Sequence, residues 1–401
     1  MVSGHFEGED ALSDQENDDL FVNSADDSVC LDKWGSWPSA NTQALESDNV
    51  LVFELFAAIG NLFITFENII SIAHFLGVGV VLDGREKFPD FRQAFLPGQI
   101  LWDIDPAPFQ QRAADIEEGR ANSSSLHVKT FSDGVILLSN DHFRLLTSTF
   151  GLDAGNMGEL VAMLHDPPPR NMRGFISTLA AMLSHEAKVD MRVESCAWNM
   201  LLRMSPLLVD AMRTHNPWPR DETNTTTLEP TFRFDDYVAW HLRIPTEADI
   251  RQGYDPEVHS YMITETADVA CPSFFDAMET AHLRCPMLIT NNTEVYISSI
   301  STSLGSSCIA DLAAHDIKGV QVDMGLTADE SHTSHHGASL DSTISAFLDF
   351  MFLMDAKAIV RTGSSFSGTV VTIRDLSCRS VTDNPLSQRR LSVCSPKELS
   401  C

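Results

Sequence analysis

Asn49-Val50-Leu51-Val52-Phe53-Glu54-Leu55, then Gly60-Asn61, then Gly77-Val78-Gly79-Val80-Val81-Leu82-Asp83 is the stretch that decides the fold. The first run reads as a buried strand. Phe63, Phe66, Ile69, Ile70 and Ala73 recur at helical spacing, so Gly60-Asn61 opens a helix that runs to about Leu76. Gly77 stands where a C′ glycine ends a helix, and Val78 to Asp83 reads as a second strand. Strand, helix and strand in that order make a right-handed parallel unit. Its first turn, Ala57 to Asn61, lies at the carboxyl end of the first strand, where open α/β sheets bind ligands. The same stretch is apolar enough to suggest a membrane span. Glu54, Asn61, Glu67, Asn68 and His74 fall inside it, however, and a spanning helix needs about 20 residues almost free of charge. A buried βαβ unit is the better reading.

A second αβ series begins after a Pro-, Asn- and Thr-rich interval from Asn216 to Glu229, which reads as a linker. Tyr237 to Ile244 alternates as a strand, and Phe274 to His282 reads as a helix. Met287 to Thr290 and Val295 to Ser299 are strand-like, and Leu304 to His315 looks helical. Gly319 to Asp323 is another strand, Asp341 to Met354 a long apolar helix, and Ala358 to Thr362 a strand leading to Gly363-Ser364-Ser365-Phe366-Ser367. The first half reads as short strands and helices, with a strand near Gly134 and helices over Asn171 to Leu183 and Cys196 to Arg213. The fold expected is α/β, with two Rossmann-like lobes and a central cleft. The N-terminal lobe spans 46–220 and the C-terminal lobe spans 225–380.

Residues 1–45 carry many carboxylates and read as a disordered acidic tail, while residues 383–401 read as a loose C-terminal tail. With 56 acidic against 27 basic residues the formal charge is −29, which disfavours binding to a nucleic-acid backbone. A small phosphate ligand needs only a few local arginines and backbone N–H groups. The eight cysteines include no CxxC pair, so a zinc site of paired thiolates is not expected. Sequons at Asn122, Asn224 and Asn291, together with the even cysteine count, favour a secretory lumen, with the cytoplasm as the alternative. The acidic start does not read as a signal peptide, and an anchor in a longer precursor stays open.

Three short constellations carry chemistry. His241-Leu242-Arg243 ends a strand, and an arginine fork there can grip two phosphate oxygens. A fixed cation against a leaving diphosphate lowers the barrier to sugar transfer; the same arginine could also sit in a surface salt bridge. Ser364, Ser365, Phe366 and Ser367 form a turn into a helix, where small residues and a positive helix end suit a phosphate, or simply cap the helix. Gly60-Asn61 combines a tight turn with an amide donor.

Taken together, Leu55 to Phe63 with Val80 to Asp83 resembles the opening Gly-Asn turn of the fucosyltransferase superfamily. Tyr237 to Ile244 resembles its His-x-Arg motif, Val295 to Ser299 the strand that follows, and Ser339 to Thr372 its third motif. The likeness covers roughly residues 50 to 375 and implies a GT-B fold with inverting, metal-independent transfer of fucose from GDP-fucose. By position, it implies that Arg243 binds the β-phosphate and that Gly60, Asn61 and His241 line the donor site. Ser364, Ser365, Phe366 and Ser367 would hold phosphate or fucose, and Asp341 would lie near guanine or ribose. Ile244, and Ala57 with Ala58, stand where some relatives carry arginines, which leaves room for a binding protein without turnover. The partners expected are the nucleotide sugar and a glycan or glycoprotein acceptor, with no resident cofactor and no metal.

Inversion needs a base for the acceptor proton. Glu247 and Asp249, close after the arginine, and Glu54, at the end of the first strand, are the candidates. A competing reading takes Asp103 and Asp105 as a metal-holding Asp-x-Asp pair. His315, His332, His335 and His336 could hold zinc, although their Ser, Thr and Gly neighbours suit a flexible loop.

Overall fold

The computed structural model describes residues 27–55, 59–84, 88, 90–120, 126–149, 171–217, 237–242, 271, 293–299, 302–324, 339–361, 364–380 and 392–397. Helices α1 (Asp27–Trp34) and α2 (Trp37–Glu46) precede β1 (Val50–Glu54), α3 (Ile59–Leu76) and β2 (Gly79–Asp83). β1 and β2 are parallel, with Val50 opposite Gly79 and Glu54 opposite Asp83. Gly77 has φ +66°, the left-handed conformation of a C′ glycine, so the βαβ unit forms as its sequence dictates.

The rest of the first half comprises α4 (Phe91–Ala94), β3 (Phe95–Pro97), α5 (Ala107–Glu117), β4 (Leu126–Phe131), β5 (Gly134–Ser139), α6 (Asn140–Thr149), α7 (Met172–His185), α8 (Ser195–Leu201), β6 (Leu202–Met204) and α9 (Pro206–Thr214). The first sheet has the order β2-β1-β5-β4. β5 runs antiparallel to β1 and to β4, so this sheet is mixed rather than wholly Rossmann-like. The reason is local: β4 and β5 are joined by the two-residue turn Ser132-Asp133, and a hairpin that short can only return antiparallel. The helix read over Cys196 to Arg213 is interrupted at Leu202–Met204, which pairs with β3.

In the second half stand β7 (Tyr237–Leu242), β8 (Glu294–Ser299), α10 (Thr302–Ala314), β9 (Gly319–Val320), α11 (Leu340–Asp355), β10 (Ala358–Arg361), α12 (Ser365–Ile373), β11 (Ser377–Ser380) and β12 (Ser392–Ser395). Their sheet has the order β11-β12-β10-β7-β8-β9. β10, β7, β8 and β9 are mutually parallel, and all four therefore end at the same edge.

One continuous core takes residues from both halves, including Phe63 and Phe66 of α3, Trp198 of α8, and Phe347 and Phe350 of α11. The ring of Phe63 lies 4.6 Å from Phe350 and 5.5 Å from Trp198. Helix α3 is long and apolar enough to cross a membrane by length and composition, yet 67% of it is buried inside the molecule. A helix apolar all round is expected in that central place.

Two expected tails are ordered in part. Residues 27–45, assigned by sequence to the acidic tail, carry α1 and all but the last residue of α2. Cys30, Trp34, Trp37, Asn41 and Ala44 make one buried stripe along them, because they recur at helical spacing. The Asn41 side chain accepts the Val80 N–H at 2.9 Å, serving a backbone donor of the edge strand β2. The Cys30–Cys196 disulfide ties α1 to α8. At the other end, β12 lies inside the second sheet between β11 and β10, and the Cys378–Cys394 disulfide bridges β11 and β12. Residues 392–395 are thus a strand rather than part of a loose tail.

Candidate functional site

The carboxyl edge of the second sheet gathers the residues of interest. His241, near the end of β7, stands opposite Arg361 on β10 and Ser298 on β8. Tyr237, Ala239, Ile359 and Tyr296 belong to the core shared with α3 and α11, and strand alternation puts His241, Arg361 and Ser298 on that same face. His241 is buried, with its ring 5.3 Å from that of Phe366. Arg243 is two residues further along the chain and lies outside the described residues, as do Glu247 and Asp249.

Helix α12 begins at this edge. Ser364 is its N-cap, and its side chain accepts the Phe366 N–H at 3.3 Å. Arg361 reaches forward from β10, donating from Nη2 to the Ser364 carbonyl at 2.9 Å. Burial lowers the pKa of that guanidinium. Ser365 is exposed, Phe366 half-buried, and Ser367 fully buried. The Ser367 hydroxyl has no hydrogen-bond partner among the described residues.

The start of α3 meets the start of α12. A Cβ added to Gly60 would lie 2.6 Å from both the Cα and the N of Phe366, so only glycine permits this backbone approach. The Thr369 hydroxyl sits 3.1 Å from the Gly60 carbonyl and 2.9 Å from that of Ser365. The Gly-Asn turn and the Ser-Ser-Phe-Ser turn, about 300 residues apart in sequence, are therefore one structural feature. Asn61 follows, half-buried on the first turn of α3. Two helix N-termini meet beside the ends of β7 and β10, and a helix N-terminus suits an anion.

Glu54 lies at the carboxyl end of β1, half-buried and opposite Asp83. Its backbone N–H donates to the Asp133 carbonyl at 2.9 Å. Asp133 uses its carboxylate to accept the N–H groups of Met172 and Arg173, which caps α7.

On α11, Asp341 is exposed in the first turn, beside the N-cap Ser339. Sequence reading passed over Asp349, the acid two turns further on. It accepts the Tyr296 hydroxyl. Burial pushes its carboxyl up to about 7, against the pull of hydrogen bonds from Tyr296 and Ser298. Tyr296 is driven well above the ordinary phenol value, first by burial and then by Asp349. Arg361 was also missed. A polar residue at the inward phase of a strand or helix is the signal that both share.

The competing metal reading meets two carboxylates with other tasks. Asp103 is paired with Arg92 at 2.7 Å, and Asp105 accepts the Ala107 N–H at 3.1 Å at the start of α5. Of the histidines, His315 is exposed after α10, and His332, His335 and His336 lie outside the described residues, as do Asn122, Asn224 and Asn291.

No known family model matches the chain, and no curated protein matches it. Among solved structures, a point mutant of Arabidopsis thaliana FUT1 in complex with GDP is 11% identical with a TM-score of 0.45, over 86% of this chain and 77% of that one. NodZ α-1,6-fucosyltransferase soaked with GDP-fucose is 10% identical with a TM-score of 0.41, over 87% of this chain and 99% of that one. Fucosyltransferase NodZ from Bradyrhizobium is 12% identical with a TM-score of 0.40, over 87% and 99%.

Proposed function

We propose that this chain is an inverting glycosyltransferase that binds a nucleotide-diphosphate sugar at the edge where α3, α12, β7 and β10 meet. The observation that carries the proposal is the contact of Gly60 with the backbone of Phe366, which joins two helix N-termini beside His241. Such a junction provides backbone donors and positive helix ends for a diphosphate. The likeness of the Gly-Asn, His-x-Arg and Ser-Ser-Phe-Ser motifs to the fucosyltransferase superfamily supports GDP-fucose as the donor.

In the reaction proposed, the acceptor hydroxyl attacks the sugar's anomeric carbon from the face opposite the diphosphate. A new C–O bond forms as the bond to the β-phosphate oxygen breaks, and the electron pair leaves with GDP. Arg243 and the helix ends stabilise the charge that grows on the diphosphate. A carboxylate takes the acceptor proton, with Glu54, Glu247 and Asp249 as the candidates. The acceptor is a glycan or glycoprotein, and no metal takes part. Disulfides Cys30–Cys196, Cys271–Cys308 and Cys378–Cys394 support a secretory lumen as the compartment.

Arg243→Ala tests this reading. It should lower transfer from GDP-fucose by about a hundredfold or more, the scale of losing a charge stabiliser, while the melting temperature holds. Transfer near the normal rate would remove Arg243 from the mechanism. Transfer that stops on addition of a chelator would favour the metal reading at Asp103 and Asp105.

A further inference from the structure

We propose that the Cys378–Cys394 disulfide is a redox-sensitive clasp on the second sheet, opened by a dithiol reductant, and that opening it weakens ligand binding at the donor edge. The effect on a ligand rests on the donor reading above; the clasp itself does not. Cys378 and Cys394 stand directly opposite one another on β11 and β12. Cys378 is exposed on β11, an edge strand, whereas Cys394 is fully buried on β12. The other two described disulfides have no exposed half: Cys30, Cys271 and Cys308 are buried, and Cys196 is half-buried. Exposure decides which disulfide a reductant reaches first, because a thiolate must approach one sulfur to displace the other.

A thiolate of the dithiol attacks Sγ of Cys378, the S–S bond breaks, and its electron pair leaves on Sγ of Cys394. The second thiol of the reductant then attacks the mixed disulfide and frees Cys378. Two electrons and two protons pass from the dithiol, which ends as a disulfide, to the two cysteine thiols. The consequence follows from where β12 lies. On its other side, Cys394, Val393 and Ser392 face Ile359, Val360 and Arg361 of β10. Arg361 in turn faces His241 of β7, and three residues later Ser364 caps α12. β12 therefore flanks the strand end that leads into the donor turn. It has four residues, and so short a strand forms few ladder bonds. Lys397 also pairs with Asp375, between α12 and β11, but both side chains are more than half exposed and such a pair contributes little. The disulfide is the covalent tie across these strands, and its reduction lets β12 and the end of β10 open together.

The test is titration of the wild-type protein with dithiothreitol, with the released thiols alkylated and located by peptide mass spectrometry. Cys378 and Cys394 should be alkylated at reductant concentrations that leave Cys30, Cys196, Cys271 and Cys308 paired. Hydrogen exchange at 358–361 and 392–395 should then quicken about tenfold or more. GDP affinity, measured by calorimetry, should fall about fivefold to a hundredfold, and by linkage GDP should disfavour the reduction by the same factor. The double variant Cys378→Ala, Cys394→Ala should show the exchange and GDP affinity of the reduced form without any reductant. Alkylation of another described pair first, or unchanged exchange after reduction, would overturn the clasp. Faster exchange with unchanged GDP affinity would overturn its link to the donor edge. If the oxidised protein binds no GDP, the donor reading fails, while alkylation and exchange still decide the clasp.

Discussion

Gly60 and Phe366 touch backbone to backbone, although one opens a helix of the first half and the other a helix of the second. The contact fixes how the Gly-Asn turn faces the Ser-Ser-Phe-Ser turn. Replacement by alanine must push the two helices apart, since the opposing atoms of Ser365 and Phe366 are main chain and cannot rotate away. Gly60→Ala should cost about 1–3 kcal/mol, the usual range for overpacking. It should also reduce donor binding more than its effect on stability explains. Thermal melts with and without GDP measure both. An unchanged melting temperature and unchanged binding would show that the approach is looser than described.

A second prediction concerns α1. The Cys30–Cys196 disulfide spans 166 residues, and it is reinforced by Lys33 bridging to Asp190 at 3.2 Å and Glu194 at 3.1 Å. Trp34 also donates to Glu194, and its ring lies 4.3 Å from that of His74. The paired substitutions Cys30→Ser and Cys196→Ser should cost about 2–5 kcal/mol, chiefly by freeing the unfolded chain. Denaturant unfolding of wild type and variant under non-reducing conditions checks this.

The pH dependence of stability follows from two carboxyls. Burial raises Glu67 from 4.5 to about 7 and Asp349 from 3.8 to about 7. The unfolded chain releases these protons at lower pH than the folded one. The folded state therefore holds more protons between pH 4 and 7, and stability falls as pH rises through that window. Glu67→Gln and Asp349→Asn should each flatten the decline in melting temperature between pH 5 and 8. Asn retains an acceptor for the Tyr296 hydroxyl. A wild-type melting temperature that rises across the same range would contradict these assignments.

Much of the local fold around the candidate site was legible because period and punctuation agree. The βαβ unit from Val50 to Asp83 is marked by a helical apolar stripe between two short apolar runs and closed by Gly77. The N-cap Ser364 was visible for the same reason. What composition concealed was α1, whose buried stripe of Cys30, Trp34 and Trp37 sits beside a run of carboxylates. Strand β12 was hidden because four residues have too little pattern, and only pairing with β10 and β11 makes them a strand. Asp349 and Arg361 were missed because a charge within an apolar run looks like noise until the partner element is in place. The meeting of Gly60 with Phe366 is a tertiary fact with no local signal at all.

Titration of the wild-type protein with GDP-fucose, followed by its melting temperature, tests the donor site most directly. Ligand at a hundred times its Kd should stabilise the fold by about 2.7 kcal/mol, and GDP should act similarly while guanosine does much less. No shift with GDP-fucose or GDP at millimolar concentration would contradict the account.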